Sequence, residues 1–244
     1  MMLEQLKRAW YDRVLSHGLE GEKVTTNMRP LKPEEAIGRP TRNGYPLLQG
    51  REVMIQAELR GAVGQAFTDE PTKYLGPLAE LNRLPLDTNA ARARLVAAIN
   101  ATYTLLGLIS RTKHCKNSGP EMCGAKIAEY LAKKHGSETK VVMIGFQPAI
   151  AYHMSKTFRN FRITDMDRDN IGKTSQGIIV ESHERNRNAI ERVDVILATG
   201  STLVNESIDN IRDWAHTKPL YFFGVTIAAA AYELALNRLC FEAN

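Results

Sequence analysis

The chain has 244 residues, 43% of them hydrophobic and 24% charged, which is enough apolar material for one or two packed domains. That balance excludes a disordered chain, a collagen-like repeat and a disulfide scaffold. Lys plus Arg is 32 against 27 for Asp plus Glu, a net charge of +5. So small and scattered an excess does not call for nucleic acid, although it favours an anionic ligand. Three cysteines cannot all pair with one another, so a reducing, cytoplasmic setting is expected. The charged residues Glu4, Lys7 and Arg8 fall where a signal peptide needs an apolar core, and no window reads as a membrane span.

The first element predicted is a helix, with Leu3, Leu6, Trp10 and Val14 at three- and four-residue steps and Gly18 as its stop. Residues 32–43, rich in Pro, Gly and Arg, read as a surface loop. From residue 51 the period becomes two, and Val53, Ile55, Ala57 and Leu59 share one face of a strand. Gly61 and Gly64 break that run before 65–69, which returns as a partner strand. Short helical pieces are expected between Pro71 and Pro85. Thr88 or Asn89 caps a helix running to about Leu106, with Leu95, Ile99, Tyr103 and Leu106 inward. Asn100 interrupts the apolar face of that helix and needs partners, either as an anchor for a neighbouring loop or in a cleft. Strands and helices in this first part are segregated, an α+β arrangement.

From about Gly119 helices and strands alternate. Pro120 starts a helix that Gly136 ends. Strands are predicted at 140–146, 161–165, 193–199 and 220–225, with an edge strand at 177–180. Helices intervene at 148–157, 184–192, 205–214 and 228–239. This alternation predicts an α/β Rossmann-like unit with a mostly parallel sheet covered on both faces. The boundary between the two units lies between Asp87 and Gly119.

Ligands of an open parallel sheet sit beyond the carboxyl ends of its strands, where crossover loops and helix N-termini converge. Four loops qualify here. They contain Gly145, the run from Asp165 to Gly172 that includes Asn170, the run Gly200, Ser201, Thr202 to Asn205, and Gly224 to Thr226. Gly145 lies 20 residues before Asp165, as in a dinucleotide site, but the second and third glycines of that fingerprint are missing. A calcium loop counted from Asp165 fails as well, because Asn170 stands where Gly is needed and Gln176 where Glu is needed.

The adjacent His114 and Cys115 offer nitrogen and sulfur donors suited to a thiophilic divalent metal. Lys113 and Lys116 are expected to favour the thiolate of Cys115, which makes it a candidate nucleophile too. Cys123 lines up with Ile127 and Leu131, and Cys240 with Tyr232 and Leu236 on the last helix; both read as core thiols. No serine-hydrolase elbow, zinc-protease helix or phosphate-binding P-loop motif is present.

The stretches GREVMIQAE with GQAFTD (50–69), AAINATYTLLGL (97–108), TKHCK (112–116), MIGFQPAI (143–150), DMDRDNIGK (165–173), ATGSTLVN (198–205) and FFGVTIAAAA (222–231) resemble the family described as putative heavy-metal chelation proteins. The resemblance implies an enolase N-terminal-like α+β domain, set here at 1–95, followed by a Rossmann-like domain at 96–244, with a site between them. It carries that site onto His114, Cys115, Asp165, Asn170, Gly200, Ser201, Thr202 and Asn205. The expected ligands are a metal chelate or another small anionic molecule, without nucleic acid or membrane, and a homo-oligomer is allowed. The functions weighed are a chelatase-type insertion or extraction of metal, an enzyme acting on a nucleotide-like or anionic metabolite, and a regulatory or scaffold protein with a relic site.

Overall fold

The computed structural model describes residues 1–21, 23–50 and 52–244, with only the backbone described at 23–27. Helix α1 (Met2–Ser16) buries Leu3, Leu6, Trp10 and Val14 on one face, the stripe its spacing predicts. Strand β1 (Lys23–Pro30) follows, in a segment whose sequence shows no period-two alternation. The four-residue helix α2 (Pro33–Ala36) replaces part of the expected surface loop, and a second, α3 (Pro46–Gln49), follows that loop; each has proline in its first turn. Strands β2 (Val53–Leu59) and β3 (Ala62–Thr68) form the predicted antiparallel hairpin, paired from Val53↔Thr68 to Leu59↔Ala62. The turn is Arg60 and Gly61, both with positive φ (51° and 83°), the twist that a two-residue hairpin favours. Next come β4 (Tyr74–Pro77) and α4 (Leu78–Arg83). The first sheet is antiparallel in the order β3-β2-β1-β4.

Helix α5 (Asn89–Leu105) is capped by Thr88, whose hydroxyl accepts the Ala91 N–H at 3.1 Å. It lies on β3 at backbone distance because Gly64 has no side chain: a Cβ there would stand 2.2 Å from Ala101 N and 2.3 Å from Ala97 O. The expected boundary at 95/96 falls within this helix.

The second half alternates as predicted: α6 (Gly119–His135), β5 (Val141–Ile144), α7 (Pro148–Thr157), β6 (Phe161–Asp165), β7 (Thr174–Ser175), β8 (Ile178–Ser182), α8 (Asn186–Glu191), β9 (Val195–Thr199), α9 (Ile208–Ala215), β10 (Leu220–Phe223), α10 (Ala228–Glu233) and β11 (Asn237–Leu239). Single 3-10 turns precede α8 and follow β9. The sheet order is β11-β10-β9-β5-β6-β8-β7, parallel throughout except where β7 pairs with β8. Two predictions change here. β8 lies inside β7 and is not the edge. The last helix stops at Glu233, so that β11 adds to β10 and Cys240 follows a strand instead of ending a helix.

Alternate residues of the parallel strands face opposite cores, as a sheet buried on both faces requires. Val142, Ile144, Ile196, Ala198 and Phe222 join one core with α1, α5 and the β2–β3 hairpin. Val141, Met143, Ile163, Leu197 and Phe223 join another with α6 and α7. The first core therefore runs without interruption from the antiparallel sheet to the parallel one. Asn100 sits at that junction, fully buried and fully partnered. Its amide donates to the carbonyls of Gln65, Val225 and Thr226 at 3.0, 3.2 and 3.3 Å, and its carbonyl accepts Ala229 N–H at 2.9 Å. It is an anchor, as one of the two sequence readings held.

Candidate functional site

At the carboxyl ends of β5, β6, β9 and β10 lies a cavity of about 540 Å³, closed on its far side by α3 and the β2–β3 hairpin. Two of its walls meet directly. Gly145 follows β5 with φ 90°, and a Cβ there would stand 2.5 Å from Thr199 Cγ2 at the end of β9, so only glycine lets these loops touch. The connections after β5 and β9 leave the sheet in opposite directions, the switch point at which such folds place their ligands.

Of the residues singled out from the sequence, His114, Cys115, Gly145, Asp165, Asn170, Gly200, Ser201 and Asn205 line this cavity. Thr202 does not; it is buried, and its hydroxyl donates to Thr199 O at 2.7 Å, closing the 3-10 turn. That turn is moored from α5 by Arg92. This buried guanidinium donates to the carbonyls of Val204 (2.5 Å) and Leu86 (2.6 Å), to Glu206 Oε2 (2.8 Å) and to Asn89 Oδ1 (2.6 Å).

One end of the cavity is acidic. Asp165 braces two loops, with Oδ2 accepting Phe146 N–H at 2.5 Å and Oδ1 accepting Asp167 N–H at 2.6 Å. Burial raises its pKa, while those two amides and the Asn170 side chain oppose the rise. Glu52, at the entry to β2, is pushed up to about 7 by burial and then by the charges of Asp165, Asp167 and Asp69. All four carboxylates line the cavity, and no described lining residue is Lys or Arg. Glu52 and Asp69 lie within the 50–69 stretch that resembles the family but are not among the residues the resemblance carries over to the site; the β2–β3 hairpin brings them here.

The other end is soft. Cys115, Cys123 and Cys240, all the cysteines of the chain, line it together with His114. The His114 backbone N–H is held by Gln65 Oε1 at 2.7 Å, and its ring meets Phe67 edge-on at 5.5 Å. Its Nδ1 is buried and lacks a hydrogen-bond partner among the described residues. Burial, against the backbone groups of Cys115 and Ala36, lowers its pKa to about 4. The imidazole is therefore neutral at pH 7, the form that binds metal.

Cys115 rests on Gly119, where a Cβ would come within 2.8 Å of its own Cβ. The expectation that Lys113 and Lys116 activate this thiol is overturned. Both lysines are exposed, and burial, followed by Cys240, pushes the Cys115 pKa up to about 12. The acidic thiol is Cys240, lowered by a hydrogen bond from Cys123, by Arg238 and by Gly224 N–H against the cost of burial. Cys123 does belong to the core beside Ile127 and Leu131, as its spacing indicates, but it also faces the cavity. The sequence reading missed Cys240 because it extended α10 through the residues that form β11.

Residues 130–236 match a family model, DUF364, described as putative heavy-metal chelation, which bears out the resemblance read from the sequence. No curated protein matches the chain. Among solved structures, a DUF364 protein of unknown function from Pyrococcus horikoshii aligns with a TM-score of 0.56 at 17% identity, over 93% of this chain and 80% of that one. A second DUF364 protein of unknown function, from Desulfitobacterium hafniense, aligns with a TM-score of 0.52 at 14% identity, over 75% of this chain and 73% of the other. At these identities the likeness is one of fold.

Proposed function

Because residues 130–236 match the family described as putative heavy-metal chelation, we propose that this protein handles a thiophilic divalent metal as its cargo, presented as a small chelate in the cavity. The observation that carries this reading is the convergence of every cysteine in the chain, with a neutral histidine whose Nδ1 has no hydrogen-bond partner among the described residues, on one cavity whose other end is acidic. Soft sulfur with imidazole is a donor set for such metals. His114 and Cys115 are the ligands in this reading, as the family resemblance implied.

The described residues contain no ready cluster of three or more ligating His, Cys, Asp or Glu side chains. That fits an ion that keeps part of its coordination from a small organic chelator and exchanges the rest with the wall. A divalent ion on one thiolate and a neutral imidazole retains a single positive charge, which the carboxylates of Glu52, Asp69, Asp165 and Asp167 favour. Glu52, poised near neutrality, is suited to take or return the chelator's proton as metal enters or leaves.

The alternative of an anionic metabolite held by the 200–205 loop draws less support. The cavity has four carboxylates and no cationic residue among its described lining, and Ser201 N–H is already taken by Thr199 Oγ1 at 3.4 Å. The enolase-like kinship of the first unit is part of the same proposal, and the separate antiparallel sheet supports it. The proposed division at 95/96 lies inside α5, so that helix is shared by the two units.

Elemental analysis of protein purified without an affinity tag tests the assignment. Bound zinc or another thiophilic divalent metal is expected in the wild type and is expected to fall in the H114A/C115A double variant. Equal metal content in the two proteins rejects these ligands.

A further inference from the structure

Residues 39–49 begin in the proline- and arginine-rich loop and end with α3. Tyr45, Pro46 and Leu47 line the cavity, so this stretch is one of its walls. It differs from the walls built on strand ends, because its regular structure is a single four-residue helix. Glycines with positive φ bound it, Gly38 at 69° and Gly50 at 71°. Gly38 is the fixed end. Asn117 donates its N–H to Ile37 O at 2.9 Å and accepts Arg39 N–H on Oδ1 at 3.0 Å. A Cβ on Gly38 would stand 2.4 Å from that oxygen, whereas one on Gly50 would meet nothing within 4 Å.

Among the described residues, Arg42 supplies the hydrogen bonds that tie 40–44 to other elements. Its guanidinium grips Glu121, in the first turn of α6, through a fork of two bonds, 2.6 and 2.7 Å long. The same group lies 3.6 Å over the ring of Tyr152 on α7. His153, next to Tyr152, places Nε2 2.8 Å from Glu121 Oε1 and steadies the carboxylate. The side chains of Arg42 and Glu121 are 29% and 25% exposed, so water can replace either partner. Tyr45 and Leu47 are buried, which makes the closed position the resting one.

We infer that residues 39–49 are a movable cover over the cavity, latched by Arg42 on Glu121 and Tyr152, and that cargo enters and leaves when the latch opens. A segment held by a polar fork and a few apolar side chains opens far more often than the whole chain unfolds. That the cargo is a metal chelate rests on the function proposed above; the cover itself does not.

The test uses the three thiols that line the cavity as reporters of access. Native wild type and R42A are alkylated with small iodoacetamide and, separately, with a bulky uncharged maleimide. R42A is expected to react with the maleimide about tenfold faster while its iodoacetamide rate stays within about threefold. R42K keeps the charge but loses the planar fork, and is expected to fall between the two. On the unmodified protein, about 1 M salt screens the fork and is expected to raise the maleimide-to-iodoacetamide rate ratio. The same salt is expected to leave that ratio unchanged in R42A. An unchanged maleimide rate in R42A, equal acceleration of both reagents, or an equal salt response in the two proteins overturns the inference. Zinc is expected to enter and leave R42A faster at unchanged affinity. A wild type that binds no zinc would remove the metal reading alone, because alkylation decides the cover without metal.

Discussion

Glu52 shows how much a single side chain depends on its surroundings. Its folded pKa of about 7 lies above the ordinary 4.5, because burial and three neighbouring aspartates disfavour its charge. The native state then holds this proton more tightly than the unfolded chain. The associated stability is full below about pH 4.5 and is lost as pH rises through about 7. His114 contributes with the opposite sense, its stability being lost as pH falls from 6.5 towards 4. That contribution is common to wild type and E52Q and cancels in their difference. In urea unfolding across this range, E52Q is expected to gain on the wild type steadily between about pH 4.5 and 7. A constant difference would show that Glu52 is not perturbed. None of this was legible at residue 52 in the sequence, where a lone glutamate opens a strand. Asn100 was partly legible: a polar residue on an apolar helix face demands partners, but only the fold says that the partners come from both sheets.

At the scale of elements, local pattern served well wherever an element had one face to bury. The β2–β3 hairpin, α1, α5, α7 and β6 follow directly from their periodicity and caps. Strand β1 and strand β11 did not, for different reasons. β1 is held by backbone pairing to β2 and β4, and its sequence, KVTTNMRP, has no alternation to read. β11 follows four consecutive alanines and a Tyr-Glu-Leu-Ala run whose helix propensity has no local stop. The positive φ of Ala235, 52°, breaks the helix there, and pairing with β10 takes over. Gly64 carries the clearest prediction at this scale. Replacing it by Ala drives a methyl group into the α5 backbone and is expected to cost about 2–3 kcal/mol in urea unfolding. A loss below about 0.5 kcal/mol would mean that α5 can slide away from β3 freely.

At the scale of the whole molecule, one continuous core joins α1 and α5 to the parallel sheet. Cooperative loss of both units together is the consequence, since neither can expose its share of that core alone. The two tryptophans report on it separately: Trp10 lies in α1, with its indole N–H on Thr102 Oγ1 at 3.0 Å, and Trp214 lies in α9. W10F and W214F each leave a single reporter. Within each variant the fluorescence midpoint in urea is expected to coincide with the midpoint from circular dichroism. Separate midpoints would show that the units unfold independently.

The amino-acid sequence by itself determined the two architectures, the crossover loops and the stretches that resemble a known family. Helix stripes, strand alternation and caps are local consequences of side-chain spacing, so they can be read without coordinates. Only the tertiary structure decided what meets at the cavity. Cys240 joins Cys123 at the cavity because β11 adds to β10, and Glu52 joins Asp165 there because the hairpin closes over the sheet edge. Both meetings depend on contacts between residues far apart in the chain, and no local period encodes such contacts.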